Sequence, residues 1–333
     1  MKVNWKYRLG DLLAGATIGG VVALTHHLLV PQSLGVVGGV FLGMFVGMGA
    51  QMLFAIFLGS LLGQIEVMVP GMFVGMLGMI LPMFRLQDLN LKGELFVGGA
   101  IGFVIFLGFA IWDAGVLGIP QRIWPPDTSQ RVDGPSAGSG SGPGWLYDAL
   151  ETAGSRRHAP FQRELFRKMN GRVLFVAAGT GLNFAHFPPG REIVAIDLSS
   201  RMLEAARATA DKYDGYLSLR EADTQQLPFP DESFDTAATA STFCSVPDPA
   251  QGLKELYRVL KPGGTLLMFE HVRSRNPLVG AELDLFTLAT RYIGPAMNRD
   301  TVGNTQRAGF VIDRVVCAYL DVFVAIEAHK PAS

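Results

Sequence analysis

A glycine-rich turn and two later aspartates are the residues whose types and spacing best suit the binding of a small ligand. The turn, Ala177-Ala178-Gly179-Thr180-Gly181, directly follows an apolar run. Glycines at such a turn let the backbone approach a ligand closely and adopt conformations that other residues disfavour. Asp197 and Asp223 each follow a further apolar run. An acid at the first position can accept hydrogen bonds from two ribose hydroxyls. An acid at the second, with Thr224 beside it, can accept from an adenine amino group.

Alternating apolar runs and helical segments must position these residues. We predict strands at Arg172–Val176, Ile193–Ile196, Leu217–Ala222, Phe234–Ala240 and Thr265–Glu270, the last after a turn at Leu260–Gly264. Two further β-rich runs lie within Phe310–His329, around Tyr319–Asp321, and suit an antiparallel closing pair. The alternation is typical of a doubly wound, Rossmann-like α/β sheet, in which ligands bind at the carboxyl ends of the strands.

The order of these motifs resembles the class I S-adenosylmethionine-dependent methyltransferases over residues from about 145 to 330. The sequence is similar to methyltransferases of ubiquinone biosynthesis, to phosphatidylethanolamine methyltransferases and to the methyltransferase-like-7 thiol methyltransferases. The motifs shared with the last two groups are Gly179–Asn183, Cys244–Pro249, Arg258–Gly264 and Glu270-His271. The resemblance implies S-adenosyl-L-methionine as cofactor, with cofactor-binding residues Ala177, Gly179, Gly181, Asp197, Asp223 and Thr224.

Two positions depart from that family's pattern. Phe175 stands where the family usually has an acid that helps to hold the methionine part of the cofactor, and Ala177 replaces the first glycine of the turn. The added methyl group and the lost carboxylate are both expected to weaken cofactor binding. A degenerate domain without activity is therefore an open alternative. We keep the prediction of an active enzyme because the remaining glycines and both aspartates are present.

Methyl transfer from a sulfonium is an in-line displacement that depends mainly on orientation and desolvation. A general base is needed only if the nucleophile arrives protonated. His271 follows the fifth strand, where open α/β sheets place active-site groups, and is our candidate base for a thiol or an amine. Alternatively, it caps the strand end and contacts solvent. Tyr147 is a second candidate, as part of a lid over the cofactor; packing against the sheet is its alternative.

The apolar excess of the chain lies in its first third. Hydrophobic residues make up 49% of the 333 residues, and a bilayer core needs roughly 20 apolar residues per helix. We predict spans at Asp11–Val30, Leu34–Gly63, Ile65–Phe84 and Leu95–Trp112, with breaks at Pro31 and Gln32, at Gln64 and Glu66, and at Arg85–Glu94. Glu66 is expected to be a solvated loop residue. Several successive stretches argue against a cleaved signal peptide.

Charge and cysteine usage limit the partners and the compartment. Lys2, Lys6 and Arg8 place the amino terminus in the cytoplasm, and an even number of spans returns the catalytic domain to the same side of a cell membrane. A net charge of -1 gives no basic field for nucleic acid. Cys244 and Cys317 form no CxxC pair, so we predict neither a disulfide framework nor a metal site built on cysteine.

A flexible tether separates the two halves in this interpretation. Gly134–Gly144 reads GPSAGSGSGPG and cannot build a core. We therefore predict a transmembrane helical domain at residues 1–112, a linker at 113–144 and a methyltransferase domain at 145–333.

Small residues and methionines recur along the predicted spans. Gly35, Gly39, Gly43 and Gly47 form a ridge suited to close helix packing in lipid. Two methionine sets recur every four residues: Met44, Met48 and Met52, and Met68, Met72 and Met76. A path for a soft metal, assisted by His26 and His27, is one interpretation. Flexible apolar packing is the other, and we assign no metal ligand.

The predicted function is methyl transfer by a membrane-anchored enzyme to a lipid or other hydrophobic small molecule. A phospholipid amine, a quinone precursor and a thiol all remain open as acceptors. A membrane transporter or soft-metal-handling protein with a regulatory methyltransferase-like domain is the alternative of a different class. An NAD-dependent enzyme on the same fold is disfavoured by the Leu260–Gly264 turn and by Asp223.

Overall fold

A computed structural model describes residues 5–76, 90–116, 120–121, 156–290 and 296–332. The chain divides into two compact units. The first comprises residues 1–115 and 149–157, and the second comprises residues 116–148 and 158–333. The first unit is helical and the second is built on a sheet. Each unit is taken by itself below.

In its described part, the first unit contains four helices: α1 (Trp5–Leu29), α2 (Gly35–Leu62), α3 (Gln64–Gly75) and α4 (Leu91–Val116). Among the described residues, three stretches are long and apolar enough to cross a bilayer: Trp5–Leu29, Gly35–Gly59 and Leu91–Val116. They coincide with the first, second and fourth predicted spans. The third prediction, Ile65–Phe84, begins within α3 and ends outside the described residues.

The break between α2 and α3 lies one residue earlier than predicted. Gly63 interrupts the helix with a positive φ of 111°, a conformation that glycine adopts without steric cost. Gln64 and Glu66 consequently belong to the first turn of α3. The expectation that Glu66 is a solvated loop residue is wrong: it is 1% exposed, and its Oε1 lies 3.7 Å from Nε of Arg157.

Close helix contacts in this unit depend on glycine. A Cβ added to Gly19 of α1 would overlap the Gly98 carbonyl of α4, and one added to Gly102 would overlap the Gly15 carbonyl. Such spacing lets two backbones approach closely, as small residues do in membranes. On α2, the predicted ridge is buried at Gly39, Gly43 and Gly47 but exposed at Gly35.

Charged side chains buried in the first unit are paired. The Arg157 guanidinium donates to both carboxylate oxygens of Asp11, at 2.9 and 2.8 Å. At the other end of α1, Nδ1 of His27 lies 3.0 Å from Oε2 of the buried Glu94. The pairing limits the cost of removing these charges from water. The methionine-lined metal path stays a prediction; Met72 is buried and Met52 is largely exposed.

The second unit is built on a mixed sheet with the order β1-β7-β8-β6-β5-β2-β3-β4. The strands are β1 (Pro120–Gln121), β2 (Arg172–Val176), β3 (Glu192–Asp197), β4 (Tyr216–Glu221), β5 (Phe234–Ala240), β6 (Leu260–His271), β7 (Val311–Tyr319) and β8 (Phe323–His329). Strands β2 to β6 are parallel, and β8 runs antiparallel between β6 and β7. The predicted Rossmann-like sheet with its antiparallel closing pair is confirmed.

Several helices of the second unit begin at side chains that cap them. A helix at residues 156–166, called α5, precedes β2; the others are α6 (Ser200–Ala210), α7 (Pro249–Val259), α8 (Pro277–Thr290) and α9 (Thr301–Arg307). Asp248 accepts from Gln251 N at 3.0 Å at the start of α7. Asp300 accepts from Gly303 N at 3.0 Å at the start of α9. Each cap satisfies an N–H group that would otherwise lack a partner.

Strand β6 is longer than predicted. The expected turn at Leu260–Gly264 belongs to the strand, which pairs with β5 on both sides of an irregularity between Phe234 and Thr236. Gly263 adopts a positive φ of 75° there, so the chain bends without ending its ladder. The consequence is a continuous strand that ends at Glu270 and His271, on the edge of the sheet that carries the predicted site.

Candidate cofactor and acceptor site

The site lies where the order of the strands reverses. From β2, the chain continues to β3 and β4 on one side and then to β5 and β6 on the other. Open α/β sheets bind ligands in the crevice outside the carboxyl ends of the strands at such a switch point. The turn at 177–181 leaves β2 at this point, and Asp197 ends the neighbouring β3.

The turn after β2 combines a closed side and an open side. Gly179 and Gly181 have φ values of 55° and 84°. A Cβ on Gly181 would lie 2.9 Å from the Phe184 ring, whereas one on Gly179 would meet nothing within 4 Å. Glycine at 181 is therefore required by packing within the protein. Gly179 instead borders open space in which a ligand can approach the backbone.

Ala177 occupies the first position of the turn at a cost. Its φ is 59°, in the left-handed region where a Cβ is disfavoured. The next residue ties the turn to the sheet, because Ala178 N donates to Ile196 O at 2.8 Å. The turn thus keeps the backbone path of a glycine although the residue is alanine.

Asp197 organises the turn from β3. Its Oδ2 accepts from Gly179 N at 2.9 Å, and its Oδ1 accepts from Ser199 N at 2.9 Å. An ionised carboxylate has about four lone-pair sites, so each oxygen retains capacity for one more donor. The carboxylate can hold the turn and still accept from two ligand hydroxyls.

Asp223 and Thr224 follow β4. Oδ1 of Asp223 accepts from Gln225 N at 2.8 Å, which fixes a short local turn. Ala222 N donates to Asp197 O at 3.1 Å, so the ends of β3 and β4 are joined. Thr224 packs towards α7, where a Cβ on Gly252 would lie 3.2 Å from its methyl group. The structure thus places both predicted residues at the same edge of the sheet as Asp197.

Phe175 lies in a closed aromatic cluster. Its side chain is fully buried, and its ring centroid lies 4.8 Å from that of Phe187, 5.8 Å from that of Phe166 and 6.2 Å from that of Phe184. Tilted and edge-on arrangements at these distances are favourable for aromatic pairs. The carboxylate expected from the family pattern is replaced by apolar packing beneath the turn.

Sequence reasoning gave Glu270 no role, yet it holds the loop after β5. Its carboxyl group accepts from Thr239 Oγ1 at 2.7 Å, from Thr242 N at 3.0 Å and from Phe243 N at 3.1 Å. Burial raises the pKa of Glu270 to about 7, although these hydrogen bonds oppose the shift. Its sequence signals were its position at the carboxyl end of a strand and the Glu270-His271 motif shared with the resembled family.

His271 is buried, which corrects the interpretation that it contacts solvent. Its Nε2 lies 3.3 Å from Ala296 O, and its ring meets that of Phe323 edge-on at 5.9 Å. Burial lowers the pKa of His271 to about 4, so the imidazole is neutral at pH 7. In the tautomer that donates from Nε2 to Ala296, Nδ1 is the nitrogen able to accept a proton. Tyr147, the other catalytic candidate, lies outside the described residues.

Two further buried polar residues lie in the segment after β6. Arg299 donates to Val246 O at 3.1 Å and thereby ties this segment to the loop after β5. Glu282 lies in α8, and neither of its carboxyl oxygens has a hydrogen-bond partner within the described part of the chain. Burial raises the pKa of Glu282 to about 9, so its carboxyl group is protonated at pH 7. Neither residue carried a sequence motif.

These features fit a nucleoside cofactor at the turn. Gly179 leaves space against the backbone, and Asp197 presents a carboxylate with free acceptor capacity beside it. Phe175 supplies no contact for an ammonium group. The residues present therefore fit the nucleoside part of S-adenosylmethionine better than its amino-acid part.

Comparison with known proteins finds similarity over part of the second unit. Residues 174–268, within the second unit, match the methyltransferase domain family. The chain is 42% identical over 107 residues to a ubiquinone/menaquinone biosynthesis C-methyltransferase of Geotalea daltonii, covering 30% of this chain and 46% of that protein.

Two further relatives widen the range of acceptors named among similar proteins. A demethylmenaquinone methyltransferase of Deinococcus radiodurans is 37% identical over 148 residues, which cover 44% of this chain and 60% of that protein. A phosphatidylethanolamine N-methyltransferase of Cereibacter sphaeroides is 35% identical over 115 residues, which cover 34% of this chain and 57% of that protein. The chain spans about half the length of the curated relatives it matches.

Proposed function

We propose that this protein transfers a methyl group from S-adenosylmethionine to a lipid or another hydrophobic small molecule. The observation that carries the proposal is the arrangement of Asp197 and Gly179 at the switch point of the sheet. One carboxylate both fixes the glycine turn and keeps acceptor capacity towards the open space beside it. The match to the methyltransferase domain family includes this part of the chain.

Asp197, Asp223 and the turn at 177–181 are the residues proposed to hold the cofactor. The sulfonium of S-adenosylmethionine supplies an activated methyl group when bound. The protein then needs to orient an acceptor in line and to exclude water, which are large contributions to such a displacement. Glu270 supports this by fixing the loop at Thr242 and Phe243 through three hydrogen bonds.

His271 is the proposed base for acceptors that arrive protonated. It is neutral at pH 7 because burial lowers its pKa to about 4, so it is ready to take a proton but drives the transfer weakly. We therefore expect His271 to matter for thiol or amine acceptors only where the proton leaves late in the reaction. The variant His271→Asn keeps a hydrogen-bonding side chain and tests this role.

A membrane-dissolved acceptor is proposed because the same chain carries three helices able to cross a bilayer. The names of the relatives refer to quinone biosynthesis and to phosphatidylethanolamine. Membrane attachment would hold the catalytic domain near such molecules and raise their effective concentration. Phospholipid amines, quinone precursors and hydrophobic thiols are the three acceptor classes to test, with the domain on the cytoplasmic side of a cell membrane.

Calorimetry of the full chain in lipid nanodiscs is the decisive first test. S-adenosylmethionine and S-adenosylhomocysteine are titrated separately into the folded protein. Binding of both is expected; absence of binding to either would refute the proposed enzyme. Labelled S-adenosylmethionine is then supplied with each acceptor class, and products are identified by mass. Binding without methylation of any class would favour the alternative of a regulatory domain, to which the strained Ala177 and the aromatic Phe175 already lend support.

A further inference from the structure

One helix of the methyltransferase domain exposes apolar residues where its neighbours expose charge. On α8, the exposed positions among the described side chains are Pro277, Leu278, Ala281, Leu285 and Leu288. The spacing of the last four places them along one helix face. The leucines are 70%, 54% and 59% exposed, in chain order. A surface helix normally exposes its polar side to water. The exposed face of α8 is instead apolar.

The other helices of the same domain provide the contrast. On α6, the exposed positions include Arg201, Glu204 and Arg207, and on α7 they include Gln251 and Lys254. Both helices bury their apolar residues against the sheet, as Leu203 and Leu253 illustrate. The apolar outer face is therefore a local property of α8.

The orientation of α8 is fixed by hydrogen bonds from its less exposed side. Asp284 accepts from Arg273 Nη2 at 3.0 Å and from Asn298 Nδ2 at 2.9 Å. Thr287 Oγ1 accepts from Met297 N at 3.0 Å. Turning the leucines inward would break these bonds, so the face stays outward unless another surface covers it.

The helix also lies on the side of the domain that carries the site. It follows directly after the carboxyl end of β6, and the segment bonded to it provides Ala296 O, the partner of His271. Anything that covers the leucine face is thus close to the end of the sheet at which an acceptor must enter.

We propose that the leucine face of α8 (Leu278, Ala281, Leu285 and Leu288) lies in the lipid–water interface of the membrane that holds the chain. The first unit supplies the reason for lipid, because its three long apolar helices keep a bilayer within reach of the same chain. A helix with an apolar face inserts by about 5–10 Å into the boundary between headgroups and acyl chains. This inference rests on membrane attachment, but not on methyl transfer.

A fluorescent label on the helix tests the contact with lipid directly. The full chain carrying Leu285→Cys is labelled with an environment-sensitive thiol probe and reconstituted into phosphatidylcholine–phosphatidylglycerol vesicles. Cys244 and Cys317 are buried, and unsubstituted protein measures their residual labelling. Val311→Cys is the matched control, because Val311 is an exposed apolar residue at the start of β7, on the opposite edge of the sheet.

Lipids brominated near the headgroup should quench the probe at 285 about threefold more than the probe at 311, given the shallow depth of interfacial helices. Leu288→Cys should behave like Leu285→Cys and guards against a local effect of one substitution. Equal quenching at 285 and 311 would overturn the proposal. A blue-shifted probe at 285 that brominated lipid does not quench would also overturn it, because another protein surface would then cover the helix. The readout needs neither cofactor nor turnover, so its failure is distinct from failure of the proposed enzyme activity.

Discussion

The loop after β2 and the loop after β5 leave the same edge of the sheet but are stabilised differently. The first rests on an aromatic cluster, passes through a strained alanine and borders open space at Gly179. The second is closed by one buried carboxyl group that accepts hydrogen bonds from Thr239, Thr242 and Phe243. The β2 loop thus has open space beside it, whereas the β5 loop is fixed by hydrogen bonds within the protein.

Of the substitutions considered, an acid at position 175, as in the resembled family's pattern, should have the largest effect on stability. Phe175→Asp removes a ring from a closed cluster and buries a carboxyl group without a partner there. We expect a loss of more than about 4 kcal/mol in the free energy of unfolding. Phe175→Leu keeps the site apolar and should cost about 1–2 kcal/mol. Thermal unfolding of the full chain in nanodiscs, followed by circular dichroism, measures both.

A stable Phe175→Asp protein with tighter cofactor binding would contradict this expectation. It would mean that position 175 faces the ligand rather than the interior, and that the aromatic cluster rearranges at little cost. The two readouts, stability and affinity, are therefore needed on the same variant.

Removing the carboxyl group of Glu270 should loosen the β5 loop. Glu270→Ala leaves the buried N–H groups of Thr242 and Phe243 without an acceptor, which should cost about 3 kcal/mol of stability. Glu221→Ala, an exposed glutamate at the end of β4, should change stability by less than about 0.5 kcal/mol. Equal effects of the two substitutions would show that the network does not fix the loop.

The pH dependence of stability gives a second measure of Glu270. Its pKa of about 7 in the folded protein lies above the ordinary value of 4.5. The group therefore favours folding most below pH 4.5, and this contribution is lost as pH rises towards 7. Glu270→Gln removes this titration. Between about pH 5 and 7, within the interval between the two pKa values, the unfolding temperature of the variant should therefore fall less than that of the unsubstituted protein. A steeper fall in the variant would be inconsistent with a buried, raised pKa.

Neutralising Asp197 should weaken both the turn and cofactor binding, because the amide nitrogen of Asn cannot accept from Gly179 N or Ser199 N. Asp197→Asn loses charge-assisted hydrogen bonds to ligand hydroxyls, and we expect cofactor affinity to fall by about tenfold or more, or roughly 1.5–3 kcal/mol. Asp211→Asn, at the exposed end of α6, should leave affinity unchanged. Calorimetry in nanodiscs compares them; unchanged affinity in Asp197→Asn would refute the ribose assignment.

The local sequence pattern predicted the strands of the second unit and the residues at their carboxyl ends. Strands β2 and β5 match the predicted ranges because each is a short run of mostly apolar residues that the sheet buries. Asp197 and Asp223 were found because a parallel sheet brings its carboxyl ends to one edge. The alternation of strands and helices indicates a parallel sheet but does not fix the order of its strands.

Residues whose environment is set by distant segments were not predictable in this way. The buried state of Glu66 depends on Arg157, which is far away in sequence. The buried state of His271 depends on the segment at Ala296, and Glu270 reads as an ordinary strand end until the β5 loop is placed over it. Phe175 was noticed as a departure, but the cluster that requires it became evident only from the positions of three other rings.

The smallest expected effect is a gain, at Ala177. Its left-handed φ of 59° should cost about 1–2 kcal/mol relative to glycine, while glycine costs about 0.5–1 kcal/mol more to order from the unfolded chain. Ala177→Gly should therefore raise stability by about 0.5–1 kcal/mol. Cofactor affinity should rise as well, because the methyl group no longer lies where the backbone passes the ligand.

Ala178→Gly separates relief of strain from added flexibility. Ala178 is buried and is absent from the described residues with positive φ, so glycine there should destabilise the turn by about 1 kcal/mol. Opposite signs for the two variants would establish that the β2 loop stores strain at Ala177. Equal losses would mean that the alanine is accommodated without cost, and that the difference between the two loops lies in their hydrogen bonds alone.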